Sequence, residues 1–590
     1  MKTSKKFARL ALTAGLTATM ALGNVVIPVG MAFAEGAGST VTFVDADYSA
    51  SSAYKGIRIF NATVATTDGA TTVSNIEWAS NDAKAAVVAA IQAKEPSYSS
   101  ENAQDAAGWL SANAGVAGTD SKVASDNVLS LIAANLNSSD AWKATPAGSA
   151  SLSGLDAGYW LFLTASAGSP DGKSTDTFTS PVYAVIDGTS STTVTPKKGV
   201  PTVEKKILDD TDATDADVKS SDTWKDVADS QIGQEVNYRL TGTIASNYAT
   251  FDTYAYKFTD VLSSGLDYID GSIAVYALNG GAYTVIDTSK YDVAWDNNTL
   301  TVEFKVDGTK KGLKDVENVD ANTQIVVFYK AKLNGNAVIG NATGDNKGGN
   351  PNTVRLEYSN NPYAEGTGET IEDTVADFAF KLNLNKVDQG TEKGLAGAVF
   401  TIQSADANTK DQYVASKADS AAGVVAGQLV TVADANNLPE YVKFTSSDNG
   451  NIAVSGLDAG SYKVTEVQTP DDTKYTKANP FTFTIAAEYN NSTMKVTSLT
   501  AAVSEADKGR TDIAFGTLDG TAGDNKLTGT DGTGADAAAG EVTINVGNTK
   551  SVGLPITGLD GVTLTWVVGG AVLVIGVARL IRGRRKESEE

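Results

Sequence analysis

Polar residues that fall on the apolar faces of strands are the feature that most restricts how this chain can fold. In a β-strand, residues two apart share a face. The stretch FAFKLNLNKVD therefore aligns Phe378, Phe380, Leu382 and Leu384, and Lys386 falls on the same face. GEVTINVGNTK aligns Val542, Ile544 and Val546, with Asn548 next in line, and SYKVTEVQ aligns Tyr462, Val464 and Glu466. The middle of the chain repeats the arrangement. PTVEKKI groups Val203, Lys205 and Ile207 and turns Glu204 and Lys206 outward. YKFTDVL groups Tyr256, Phe258, Asp260 and Leu262, and NTVRLEY groups Asn352, Val354, Leu356 and Tyr358. A lone lysine at a strand end ordinarily reaches water along its own stem, and fully buried lysine is rare. A lysine, an acid and an asparagine facing inward twice, in the same chain order, carry more weight than any one of them.

The strands that hold these residues belong to a longer series. VTFVDA, YKGIRIF, VNYRLTG, LTVEFKV, QIVVFYKAKL and FTFTI also alternate, separated by Gly, Asp, Asn and Ser turns. The fold expected is mainly β, with tandem β-sandwich domains. AKAAVVAAIQAK, AQDAAGWLSANA and DNVLSLIAANL read as helical insertions into the first of them. SGLDAGYWLFLTAS at 153–166 echoes SGLDAGSYKVTEVQ at 455–468, which suggests related domains near the two ends. Breaks at Pro196–Pro201 and around Tyr363–Asp373 divide the chain into domains at 36–195, 199–364 and 372–550. The stretch 517–540 reads as a long polar loop; its Asp and Gly content raises calcium, but no ligand spacing matches, and no metal or cofactor is expected.

Composition narrows the chemistry. Among 590 residues there is no cysteine and no histidine, and the net charge is -23. Disulfides, thiolate sites and serine–histidine catalysis are excluded, and nucleic acid is a poor partner for so acidic a chain. The ends indicate export. Residues 1–34 have a basic start, an apolar middle and an A-x-A finish, a secretory signal with cleavage expected between Ala34 and Glu35. Val562 to Ile581 is about long enough to span a bilayer, and the basic tail at 582–590 would remain cytoplasmic.

Directly before that span stands Leu554-Pro555-Ile556-Thr557-Gly558. The order LPxTG, apolar span, basic tail resembles the sorting signal of Gram-positive surface proteins, which implies that a sortase cuts between Thr557 and Gly558. YKGIRIFNATV, GNPNTVRLEYSNNP, LAGAVFTI, YKVTEVQTPDDTKY and VGNTKSVGLPITG extend the likeness over most of the chain. The chain resembles the major (backbone) pilins of Gram-positive sortase-assembled pili, built from Ig-like, collagen-adhesin-type domains with internal Lys–Asn isopeptide bonds. The glutamate stretch resembles that family's E-box, with Val467 and Lys474 where Thr and Gly are usual.

The resemblance implies a bond between Lys386 and Asn548 promoted by Glu466, and another between Lys205 and Asn352 promoted by Asp260. Aligning the internal echo puts Thr164, or Leu163 with a slip of one, where Glu466 stands, so no such bond is expected in the first domain. The family's acceptor lysine follows a proline at the end of the first domain. Here that is Lys197 in Val194-Thr195-Pro196-Lys197, with Thr195 in place of the usual tyrosine and Lys198 as an adjacent competitor. The expectation is a structural subunit rather than an enzyme, located on the Gram-positive cell surface. Its partners would be a pilus sortase, copies of itself and accessory pilins. Peptidoglycan would be joined through a housekeeping sortase, and the sequence selects no host receptor. A monomeric wall-anchored adhesin is the alternative. A secreted carboxylate-pair glycosidase is the form of enzyme left open.

Overall fold

The computed structural model describes residues 38–44, 52–67, 70–115, 123–169, 172–209, 218–220, 223–341, 348–515 and 535–551. The alternating stretches form strands, and the sheets enclose three main bodies of core.

In the first body, Ser39–Phe43 lies between Ser151–Leu155 and Thr192–Val194. The sheet facing it runs Ala70–Trp78, Ala53–Thr67, Gly158–Ser166, Val182–Ile186. Parity in YWLFL serves both faces of this second sheet. Trp160 and Phe162 point between the sheets with Val41 and Phe43, while Leu161 and Leu163 meet the helices. The three helical stretches form α1 (Asn81–Lys94), α2 (Ala103–Asn113) and α3 (Val128–Leu136). Each begins at a side-chain cap, Ser80, Asn102 or Asn127, whose oxygen accepts backbone N–H groups of the first turn.

The second body is a sandwich. One sheet runs Val227–Asp229, Asp373–Phe378, Asn350–Ser359, Tyr256–Leu262, Thr299–Phe304, Asp292–Asp296. The other runs Ala282–Val285, Ala274–Asn279, Gln324–Leu333, Glu235–Gly242, Val203–Leu208. Phe258, Phe304, Val354 and Leu356 pack against Tyr238, Leu240, Val327 and Tyr329 between them.

The third body pairs a sheet ordered Asn451–Leu457, Phe380–Asp388, Glu541–Asn548, Ile513–Phe515 with a second sheet centred on Val399–Ser404 and Ser461–Gln468. Its Phe380–Asp388 and Glu541–Asn548 strands are parallel neighbours, Lys381 opposite Glu541 through Asp388 opposite Asn548.

The passage from the second body to the third differs from the sequence reading. Asp373–Phe378, grouped there with the third domain, pairs antiparallel with Asn350–Ser359 and parallel with Val227–Asp229 in the second body's sheet. Only Ala379 separates it from Phe380–Asp388. Val375 packs into the second core and Phe378 into the third. The acidic cluster before residue 373 looked like a linker, but the joint itself is extended chain.

One glycine sets the path of the Lys386 strand. Gly450 has φ +82°, and a Cβ there would lie 2.2 Å from the Lys386 carbonyl oxygen. The Lys386 N–H donates to the Gly450 carbonyl at 2.8 Å. Gly450→Ala should therefore destabilise the fold by more than about 1 kcal/mol in urea unfolding. Gly308→Ala, with nothing within 4 Å of the added methyl, should be nearly neutral.

Candidate functional site: buried lysine centres in two cores

Lys386 and Asn548 occupy the two parallel neighbours, and Glu466 projects from Ser461–Gln468 of the opposing sheet. All three are buried, with Lys386 at 0% exposure. Lys386 Nζ donates to Asn548 Oδ1 and, at 3.3 Å, to the Val546 carbonyl. Glu466 Oε1 stands 3.6 Å from Nζ and accepts from Asn548 Nδ2 at 3.0 Å. Glu466 Oε2 accepts the Ala478 N–H at 2.7 Å, which fixes the carboxylate from behind. Each member of the triangle touches the other two.

The second body holds its own set. Lys205, Asp260 and Asn352 each have 0% exposure. Lys205 Nζ donates to both Asp260 oxygens at 2.6 Å and lies 2.9 Å from the Tyr329 hydroxyl. Asn352 Nδ2 donates to that hydroxyl at 2.7 Å, and the hydroxyl donates to Asp260 Oδ2 at 2.5 Å. Asn352 Oδ1 has no hydrogen-bond partner. Tyr329 was not singled out in the sequence. QIVVFYKAKL buries residues of both faces in the structure, so alternation could not mark one side chain as special.

Burial shifts both lysines toward the uncharged amine. Burial pushes Lys205 down to about 8, against the opposing pull of Asp260. Burial likewise pushes Lys386 down to about 8, with Glu466 opposing. Burial raises the Asp260 carboxyl, opposed by Lys205 and by the Tyr329 hydrogen bond. A neutral amine held against a carboxamide beside a carboxyl can attack the amide carbon, with the acid moving protons.

The first body has a different constellation. Thr164 is buried where the echo aligns it with Glu466, and its Oγ1 accepts the Thr179 N–H at 3.0 Å. The aromatic positions also correspond: Trp160 Nε1 donates to the Asp156 carbonyl at 3.0 Å, and the Tyr462 hydroxyl donates to the Asp458 carbonyl at 3.0 Å.

At the end of this body, Lys197 bridges to Ser180, accepting its N–H at 2.9 Å, and donates its own N–H to Thr179 Oγ1 at 2.7 Å. The Lys197 residue is half-buried. Lys198 is half-buried as a residue too, and its side chain, 2% exposed, pairs with the fully buried Asp176 carboxylate. Asp176 lies in a polar stretch without periodicity, so nothing in the sequence pointed to it.

Ala34, Glu35, Leu554, Pro555, Ile556, Thr557, Gly558 and the span Val562 to Ile581 lie outside the described residues. Among the described residues no helix is long and apolar enough to cross a membrane. Nor do they contain a group of three acids that could hold a metal ion.

The lowered lysines have a measurable consequence where the amine stays free. In an Asn548→Ala chain, the unfolded state would hold the Lys386 proton up to the ordinary 10.5 and the folded state only to about 8. Between those values the unfolded state binds more protons, so stability rises with pH. Below pH 8 both states are protonated and the burial penalty is present in full. Urea unfolding should show a gain on the order of 3 kcal/mol across this window, and adding Lys386→Met should remove the gain.

Residues 232–362 match the family model described as Gram-positive pilin backbone subunit 2, Cna-B-like domain, and residues 380–500 match the SpaA prealbumin-like fold domain. The trypsin-resistant surface T6 protein of Streptococcus pyogenes serotype M6 is 22% identical over 436 residues, 66% of this chain and 70% of that protein. The solved T6 backbone pilin of serotype M6 Streptococcus pyogenes superposes with TM-score 0.48 at 15% identity, covering 88% of this chain and 100% of that one. The full-length major pilin SpaD of Corynebacterium diphtheriae gives TM-score 0.43 at 15% identity, covering 89% and 100%. Residues 232–362 are thus similar to a Cna-B-like domain of Gram-positive pilin backbone subunits, and residues 380–500 to a SpaA prealbumin-like fold domain.

Proposed function

We propose that this protein is the structural subunit of a covalently polymerised pilus on a Gram-positive cell surface, stapled internally by two Lys–Asn isopeptide bonds. The observation that carries the reading is the closed, buried triangle of Lys386, Glu466 and Asn548 in the body whose residues 380–500 match the SpaA prealbumin-like fold domain. A buried ammonium contributes nothing to stability that an apolar residue would not. Its retention makes sense if the amine reacts. The lysine amine attacks the asparagine carboxamide, Glu466 moves the protons, and ammonia leaves.

The same chemistry at Lys205 and Asn352, with Asp260 as the acid, would tie the two sheets of the second body together, since Val203–Leu208 and Asn350–Ser359 lie in different sheets. Each staple closes a loop of more than a hundred residues. A loop-closure model assigns it roughly 5 kcal/mol.

Polymerisation needs an amine at the surface. Lys197 is the acceptor in this proposal, and the Thr557 carbonyl released by a sortase is the donor. The burial of Lys198 against Asp176 supports that choice over its neighbour. The partners are then a pilus sortase, further copies of this chain, accessory pilins, and the peptidoglycan to which a housekeeping sortase would attach the finished fibre. The domains divide as signal 1–34, pilin domains at 36–195, 199–364 and 372–550, and a sorting region at 554–590, with Asp373–Phe378 counted to the second domain by its pairing.

Electrospray mass of a Glu35–Thr557 fragment should fall short by two ammonias, with linked peptides at Lys205–Asn352 and Lys386–Asn548. A full mass would overturn the stapled reading. In cells, Lys197→Ala should abolish the high-mass ladders of wall extracts, whereas Lys198→Ala should leave them. Persistence of ladders in Lys197→Ala would overturn the acceptor assignment, and their absence from wild type would leave the monomeric wall-anchored form.

A further inference from the structure

The two lysine centres differ in how the acid reaches the asparagine. Glu466 Oε1 contacts Asn548 Nδ2 itself at 3.0 Å. Asp260, one methylene shorter, holds Lys205 through both oxygens, and the Tyr329 hydroxyl stands between it and Asn352. We propose that Tyr329 is a catalytic residue of the second centre, a proton relay that connects the Asp260 carboxyl to the leaving nitrogen of Asn352. The proposal rests on the isopeptide reading above.

The hydroxyl is placed for the task by packing. Tyr329 is buried on Gln324–Leu333, lies opposite Tyr238 in the strand register, and stacks on that ring at 5.2 Å between centroids. Its oxygen is within 3 Å of Lys205 Nζ, Asp260 Oδ2 and Asn352 Nδ2. The Tyr238 hydroxyl is equally buried but has no hydrogen bond to Asp260 or Lys205, so it offers no such path. Burial and the Asp260 charge push ionisation of the Tyr329 phenol well above 10. It therefore works as a neutral hydroxyl that accepts one proton as it releases another.

The step balances without any outside reagent. Neutral Lys205 Nζ forms a bond to Asn352 Cγ, giving a tetrahedral carbon. The Asp260 carboxyl passes its proton to the Tyr329 oxygen while the Tyr329 hydroxyl proton moves to Nδ2, now an amine and basic. The Cγ–Nδ2 bond breaks and ammonia leaves. The proton lost from Nζ returns to Asp260, so the carboxyl ends as it began. In the third centre Glu466 performs both transfers directly.

The test is a time course. Full chains carrying wild-type sequence, Tyr329→Phe or Asp260→Ala are made by cell-free synthesis and quenched in denaturant at intervals. Loss of ammonia and the Lys205–Asn352 and Lys386–Asn548 peptides are then quantified by mass spectrometry. Tyr329→Phe keeps the ring and its stacking and should slow the Lys205–Asn352 link by roughly 10²-fold or more, with the Lys386–Asn548 link unchanged in the same molecules. Equal rates in Tyr329→Phe and wild type would overturn the relay while leaving the isopeptide reading intact. Absence of the Lys205–Asn352 link from wild type would overturn both for this centre.

Because loss of the hydroxyl could also loosen the core, 3,5-difluorotyrosine at position 329 provides a second readout. It preserves the hydroxyl and acidifies it. A changed rate and a shifted pH profile are expected for a relay. An unchanged rate and profile would overturn it.

Discussion

The structure depends on how a sandwich core accommodates a lysine. An unpaired ammonium taken out of water carries a cost of several kcal/mol; Glu466 and the Asn548 carboxamide limit it for Lys386, and Asp260 and the Tyr329 hydroxyl limit it for Lys205. The rest of the wall is aromatic. Lys205 Nζ lies 5.3 and 5.2 Å from the Tyr238 and Tyr329 rings, and Lys386 Nζ lies 5.9 Å from that of Phe400. These surroundings bring the amine toward neutrality and hold it still, which is what a nucleophile needs. A core of this kind is less stable than an apolar one while the amine stays free.

The joints between bodies are held by extended chain and by polar side chains. The second and third bodies share extended chain across Ala379, and polar side chains clamp the seam. Gln231 Oε1 accepts from the Tyr462 hydroxyl at 2.9 Å and the Asp458 N–H at 3.2 Å. Asn341 Oδ1 accepts the Val496 N–H at 2.8 Å, and its Nδ2 donates to the Val496 carbonyl at 3.1 Å. At the other seam, Asn247 Nδ2 donates to the Phe178 carbonyl at 2.9 Å, and the Tyr363 hydroxyl donates to that of Thr179 at 3.2 Å. Opening either seam exposes several such groups together, which makes bending costly relative to any single contact.

The first body repeats part of the plan of the third with a hydroxyl in place of the acid. Its Ser151–Leu155 and Gly158–Ser166 strands follow the Asn451–Leu457 and Ser461–Gln468 strands of the third body. Thr164 and Glu466 even perform the same local duty, each accepting a backbone N–H from the segment that follows. A hydroxyl suffices for that bond but does not supply an acid. Helices α1 to α3 add core on the outer face of one sheet.

The sequence by itself determined the local matters. Alternation specified the strands, the periodic alanine and leucine runs specified the three helices, and parity turned Lys205, Asp260, Asn352, Lys386, Glu466 and Asn548 inward, as they are found. Parity reports which face a side chain takes, since that depends only on the strand's own backbone. It does not report what stands across the sandwich, because cross-sheet neighbours depend on strand order and sheet twist over long separations. Only the tertiary structure therefore decided that Tyr329 stands between Asp260 and Asn352, and that Asp176 meets Lys198. For the same reason Asp373–Phe378 joined the sheet behind it rather than the one ahead: its partners, Asn350–Ser359 and Val227–Asp229, are far apart in the chain and adjacent only in the fold.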